Sequence, residues 1–224
     1  MKLALLLPGF LDSPDYLHFK TFEKRLIELG YTVERIDPCN LWATGNTKDY
    51  STTNYLKQVE ERVLFYQPPQ PNEVILIGHS LGGLVSIIAG NRIASVTKVV
   101  SLCSPVDISN LAKKWNGKAP KHSKRDLPEN TQEIRDFEIP YTFVEDGLQY
   151  SALKEVKELH KPIMILIALA DKQISQEETE KIVASANNPF VVRGENMEHN
   201  FRFSQKDCDM VMKEIENFLA SETI

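Results

Sequence analysis

The sequence predicts an α/β fold: a doubly wound, mostly parallel sheet of about six strands with a small helical lid insertion. Three observations lead there. Short apolar runs recur at 3–7, 32–36, 73–77, 98–102, 162–169 and 190–192, and most are continuous rather than alternating. A strand covered by helices on both faces reads this way, because neither side of it meets water. Helical patterns separate the runs, so the crossovers should be right-handed. One long stretch, 107–149, breaks the alternation; it exceeds an ordinary βα connection.

Taken in order, 3–7 is a buried strand that starts the fold almost at the first residue. Its apolar stretch stops at Pro8-Gly9, shorter than an export signal needs, and no Ala-x-Ala site comes after it. Phe19, Phe22, Leu26 and Leu29 then recur at helical spacing, and Gly30 supplies a helix end. After the second run, Leu56, Val59 and Val63 make another helical stripe, which Pro68-Pro69 would stop. Leu84, Val85, Ile88 and Ala89 come after the third run. Met210, Val211, Ile215, Phe218 and Leu219 form the last stripe, with Ser204 as its N-cap. The 107–149 stretch carries Trp115, a basic run through Lys113, Lys114, Lys118, Lys121, Lys124 and Arg125, and an acidic run from Asp126 to Glu138. It reads as a lid on the C-terminal edge of the sheet, where ligands of α/β proteins bind. Leu153 and Val156 lead out of it as a helix.

Apolar residues make up 42% and charged residues 25% of the 224, ordinary usage for one soluble globular domain over 1–224. The net charge of -5 argues against a long basic nucleic-acid footprint. No window approaches the roughly 18 apolar residues of a membrane span, so no membrane insertion is expected. Cys39, Cys103 and Cys208 lie far apart. That spacing fits a reducing, cytoplasmic setting better than a disulfide framework, and Cys103 reads as a small buried hydrophobe. No metal-ligand spacing and no GxGxxG are present, so neither a metal nor a cofactor is expected.

Gly78-His79-Ser80-Leu81-Gly82 carries the chemistry. This G-x-S-x-G ends one apolar run and opens the next. To lift a hydroxyl above a sheet edge, the chain must turn sharply from strand to helix. The serine then takes strained backbone angles, and a Cβ two residues before or after it would strike neighbouring backbone. Gly78 and Gly82 remove those atoms, and Gly83 leaves room for close helix packing. The turn aims the Leu81 N–H, at a helix N-terminus, toward the space above Ser80. That donor and the helix dipole would stabilise an oxyanion there.

In this motif, and in the order of the segments after it, the sequence resembles the α/β-hydrolase family. The resemblance covers nearly the whole chain, to a shortened version without the antiparallel strands that often come first. It implies the chain order serine, acid, histidine. Asp171, just past the run ending at 169, stands where the family's acid stands, with apolar Ile174 three residues on. The glycine often found three residues before that acid is Ala168 here. His199, past 190–192 and before the last helix, stands where the family's histidine stands, with Phe201 close behind. The other histidines fit less well. His18 precedes the serine, His79 lies inside the elbow facing away from it, His122 sits in the basic run, and His160 enters a strand at the wrong sheet edge. The second oxyanion donor should be the Phe10 N–H. This chain has Pro8-Gly9 where the family commonly has His-Gly, and Gly9 still allows close backbone approach.

The resemblance implies a serine hydrolase that cleaves small-molecule carboxylic esters of small to medium acyl chain through an acyl-enzyme. A thioesterase or amidase would use the same triad. Outside enzymes, the alternative is a catalytically silent binding protein of this fold. Trp42, Trp115, Tyr141 and Phe143 are candidates to line the substrate pocket; for the lid aromatics the alternative is anchoring the lid to the core. The basic run either attracts an anionic substrate or is a solvated lid face.

Overall fold

The apolar runs become strands. In a computed structural model describing residues 1–66 and 71–221, the first four are β1 (Lys2–Leu7), β2 (Tyr31–Arg35), β3 (Glu73–His79) and β4 (Lys98–Leu102). Next come β5 (Lys121–Asp126) and β6 (Ile134–Ile139), which form a separate antiparallel pair. The chain returns to the main sheet with β7 (Ile163–Ala168) and β8 (Phe190–Gly194). Among the described residues the main sheet has six strands in the order β2-β1-β3-β4-β7-β8, and every pairing in it is parallel. The predicted doubly wound sheet is the one that forms.

The helices are α1 (Leu17–Glu28), α2 (Leu41–Thr44), α3 (Thr52–Phe65), α4 (Leu81–Arg92), α5 (Ser109–Ala112), α6 (Thr142–Gly147), α7 (Ala152–Glu158), α8 (Gln176–Ser185) and α9 (Gln205–Ala220). The Pro68-Pro69 pair expected to stop α3 lies outside the described residues. β1 explains the continuous apolar runs. Leu3, Leu5 and Leu7 share a core with Val59 and Val63 of α3 and Leu84 and Ile88 of α4. Ala4 and Leu6 join the opposite core, with Phe19, Phe22 and Leu26 of α1 and Val211, Ile215 and Phe218 of α9. Each fully buried large side chain contributes roughly 1.5–3 kcal/mol, so both sides of the strand select apolar residues. Helix starts obey local rules. The Ser51, Ser175 and Ser204 side chains accept the N–H of Asn54, Glu178 and Asp207 and satisfy donors left open at their helix N-termini.

The 107–149 stretch departs from expectation. Its centre is the β5–β6 hairpin, and only the short α5 and α6 flank it as helices. The hairpin is tied down at several points. Thr47 Oγ1 donates to Glu138 O over 2.6 Å, and Arg135 donates to Trp42 O. The Arg202 guanidinium grips both oxygens of Asp126, and Tyr16 donates its hydroxyl to Asp126 O. Arg202 itself lies between the rings of Tyr16 and Phe203, 3.8 and 3.9 Å from their centroids. The hairpin is a fastened wall beside the C-terminal edge of the sheet, where the loops after β1, β3, β7 and β8 emerge. Among the described residues, no helix is long and apolar enough to cross a membrane.

Candidate active site

Ser80 follows β3 and opens α4, with φ 55° and ψ -119°. Such angles cost a non-glycine residue about 1–3 kcal/mol, so the surroundings must impose them. They do: Ser80 N–H donates to Leu102 O of β4 over 2.8 Å, and Leu84 N–H donates to Ser80 O over 3.1 Å. The flanking glycines make the turn sterically possible. A Cβ on Gly78 would lie 1.9 Å from Gly82 O, and one on Gly82 would lie 1.9 Å from Leu7 O.

Asp171 follows β7. Its N–H donates to Ala168 O over 3.2 Å, closing the turn without a glycine. Oδ1 accepts the N–H groups of Gln173 and Ile174 over 2.7 and 2.9 Å, and Oδ2 accepts from His199 Nδ1 over 2.6 Å. Burial alone would raise the pKa of this carboxyl. The His199 hydrogen bond and charge, with the two N–H donors, outweigh burial and hold it below the usual carboxylate value. An ionised carboxylate only accepts, so Nδ1 of His199 carries the hydrogen. Nε2 then presents its lone pair to Ser80 Oγ, 3.0 Å away. His199 follows β8 and is buried. Burial pushes its pKa down and the Asp171 hydrogen bond only partly opposes this, so the neutral imidazole is favoured.

The loop after β1 lies against the serine; a Cβ on Gly9 would come within 3.1 Å of Ser80 Cβ. The loop is pinned on every side. Pro8 O accepts from the Tyr55 hydroxyl, and Phe10 O from Arg125 Nη2. Leu11 N–H donates to the Tyr50 hydroxyl, while Leu11 O accepts from the Trp42 indole. Among the described residues, the Phe10 and Leu81 N–H groups have no acceptor. Phe10 and Leu81 line a cavity of about 230 Å³ together with Ser80 and His199. Two open backbone donors beside a hydroxyl suit a developing oxyanion.

Behind this set lies a second polar chain. His79 Nε2 donates to the His199 carbonyl over 3.0 Å, and its Nδ1 is 3.5 Å from Asp12 Oδ2. Asp12 Oδ1 is 3.4 Å from Arg125 Nε. Burial works against ionised Asp12, but His79, Arg125 and Arg202 together hold its pKa well below the usual carboxylate range. His18 is fully buried next to His79, their ring centroids 5.3 Å apart. His122 is on the hairpin surface, with Nδ1 3.0 Å from Asp136. Among the described residues, no group of three or more His, Cys, Asp or Glu side chains is placed to hold a metal ion.

A family model described as a PGAP1-like alpha/beta domain matches residues 45–136. No curated protein matches the sequence. Est1E from Butyrivibrio proteoclasticus, in a structure with ferulic acid bound, is 17% identical with a TM-score of 0.75, covering 98% of this chain and 88% of that one. Alpha/beta hydrolase domain-containing protein 10 from mouse is 16% identical with a TM-score of 0.75, covering 97% and 89%. The chain has the α/β-hydrolase fold. The esterase domain of a Rhodothermus marinus protein also superposes, at 20% identity and a TM-score of 0.70, covering 98% and 86%. At such identities the likeness is one of architecture.

Within this α/β-hydrolase fold, the four aromatic residues expected to line the pocket do not reach it. Trp42 borders a separate recess with Pro14, Leu127 and Arg135, and its indole instead holds Leu11. Phe143 is buried between Phe10 and Tyr50, with ring centroids 5.0 and 5.2 Å away. Trp115 packs edge-on to Phe10, and Tyr141 is half-buried against the same core. Large rings gain more from packing between insertion and sheet than from facing an open cleft. The insertion sends mostly polar residues to the cavity instead, among them Asp107, Asn110, Lys114, Lys121, Ser123 and Arg125, beside the aliphatic Ile108 and Leu111. Sequence reasoning also misses Asp12 and Arg125. A lone loop carboxylate and one member of a basic run carry no pattern in the sequence.

Proposed function

We propose that the protein is a serine hydrolase cleaving carboxylic esters of small to medium acyl chain. The observation that carries this reading is the pair of hydrogen bonds, 3.0 Å from Ser80 to His199 and 2.6 Å from His199 to Asp171, at the wall of one cavity. In the proposed reaction, Ser80 Oγ attacks the ester carbonyl carbon as its proton passes to His199 Nε2. Asp171 holds the Nδ1–H tautomer and stabilises the imidazolium. The carbonyl oxygen, now anionic, sits between the Phe10 and Leu81 N–H groups at the N-terminus of α4. Collapse breaks the bond to the alkoxy group, which leaves as an alcohol with the proton from Nε2. Water then gives its proton to Nε2 and attacks the acyl-enzyme. The second collapse returns the proton to Ser80 and releases the acid.

The Rhodothermus marinus domain carries the name esterase, which supports the ester class over the amide. A p-nitrophenyl ester series from acetate to laurate tests the reading. The expected result is highest kcat/KM at short to medium chains, lost in Ser80→Ala. Thioester and anilide analogues of the best ester should be slower. Turnover that survives Ser80→Ala would contradict the proposed nucleophile.

A further inference from the structure

Strand β5 has its polarity arranged in an unusual way. Alternate residues of a strand face opposite sides. Lys121, Ser123 and Arg125 face the cavity that holds Ser80 and His199, while His122 and Lys124 are exposed. The neighbouring strand behaves ordinarily: Phe137 and Ile139, paired with Ser123 and Lys121, are buried in the core. The cationic face is therefore specific to the strand that borders the cleft. α5 adds to it, because Lys114, just past its end, lines the same cavity.

The charges in the wall do not balance. Two carboxylates line the cavity, Asp12 and Asp107. Asp12 is committed to Arg125 and His79, and Asp107 Oδ1 accepts the Ser109 N–H. Arg125 spends its N–H groups on Phe10 O, Lys124 O and Asp12, so it acts as a fixed background charge. Among the described residues, Lys114 and Lys121 have no carboxylate partner. The Lys121 ammonium donates to Lys114 O over 3.0 Å and lies 5.1 Å from the Trp115 ring centroid, which holds the two lysines close together. Two ammonium groups remain against one carboxylate, with Lys114 exposed and Lys121 half-buried, and a cleft lined by an excess of one sign of charge attracts an anion. Phe10, Leu81, Ile108, Leu111 and Ile174 line the same cavity and offer apolar contact to a carbon chain.

We infer that the ester cleaved at Ser80 carries an anionic group, seated between Lys114 and Lys121 on the insertion side of the cleft. The inference rests on the hydrolase reading and adds the substrate's charge to it. The negative group can belong to the acyl chain or to the alcohol, and matched pairs separate the two. For the acyl side, p-nitrophenyl hemiglutarate is compared with p-nitrophenyl valerate. For the alcohol side, 4-carboxyphenyl butyrate is compared with 4-carbamoylphenyl butyrate. At low ionic strength, kcat/KM should favour the anion in at least one pair by about tenfold after correction for uncatalysed reactivity. Because screening shortens to about 3 Å at 1 M salt, that preference should fall to about twofold there. The Lys114→Gln/Lys121→Gln double variant should lower the preference to near unity, mainly through KM, and Lys114→Glu/Lys121→Glu should invert it. Circular dichroism and Ser80 labelling by a neutral fluorophosphonate check that these variants fold; the salt series on the unmodified protein decides the matter if they do not. Turnover of neutral esters with no anionic preference in either pair would overturn this inference and leave the hydrolase reading standing. Absence of both Ser80 labelling and turnover would remove the hydrolase reading, and this inference with it.

Discussion

At His199 two forces act on one proton. Burial favours the neutral ring, and Asp171 favours the charged one, with burial the larger. A general base must be neutral to accept a proton, so the direction of the shift sets the acid limb of activity. The midpoint of that limb, in kcat/KM for an uncharged ester, should lie below the ordinary histidine value of about 6.5. A midpoint above about 7 would mean that Asp171, not burial, dominates at His199. Ser80, Asp171 and His199 can be picked from the sequence because each comes after an apolar run and the three stand in a fixed order. Asp12 and His79 cannot be paired that way. Their meeting depends on how closely the loop after β1 folds against the elbow, and no spacing in the chain encodes that distance.

Among the elements, the β5–β6 hairpin is the least legible in the sequence. The charges of 107–149 hide its alternation, so the stretch reads as a helical lid. A strand whose inner face is Lys, Ser and Arg shows no hydrophobic period. The tether that fixes it is equally invisible, since Asp126 and Arg202 are far apart in the chain. Their two hydrogen bonds, of 2.9 and 2.5 Å, join the end of β5 to the segment just after His199. Removing the guanidinium leaves a partly buried carboxylate without its partner, so Arg202→Ala should destabilise the fold by about 2 kcal/mol. Limited proteolysis should then cut within 127–133 well before the rest of the chain. Protection equal to that of the unmodified protein would show that other contacts hold the hairpin.

At the scale of the whole molecule, the sheet is legible because burial on both faces leaves continuous apolar runs, and those runs match the six parallel strands closely. The parallel order brings the ends of β1, β3, β7 and β8 to one edge, so loops distant in sequence share one cavity. The filling of the space above that edge is not legible, since it depends on how the insertion packs. In the proposed reaction, this architecture makes the Ser80 oxygen a nucleophile. Mass spectrometry after treatment with a neutral fluorophosphonate reads that reactivity at the residue itself. One adduct is expected, located on Ser80 and formed slower by orders of magnitude in His199→Ala. A folded protein that stays unmodified, or one that labels at another residue while Ser80 remains free, would contradict it.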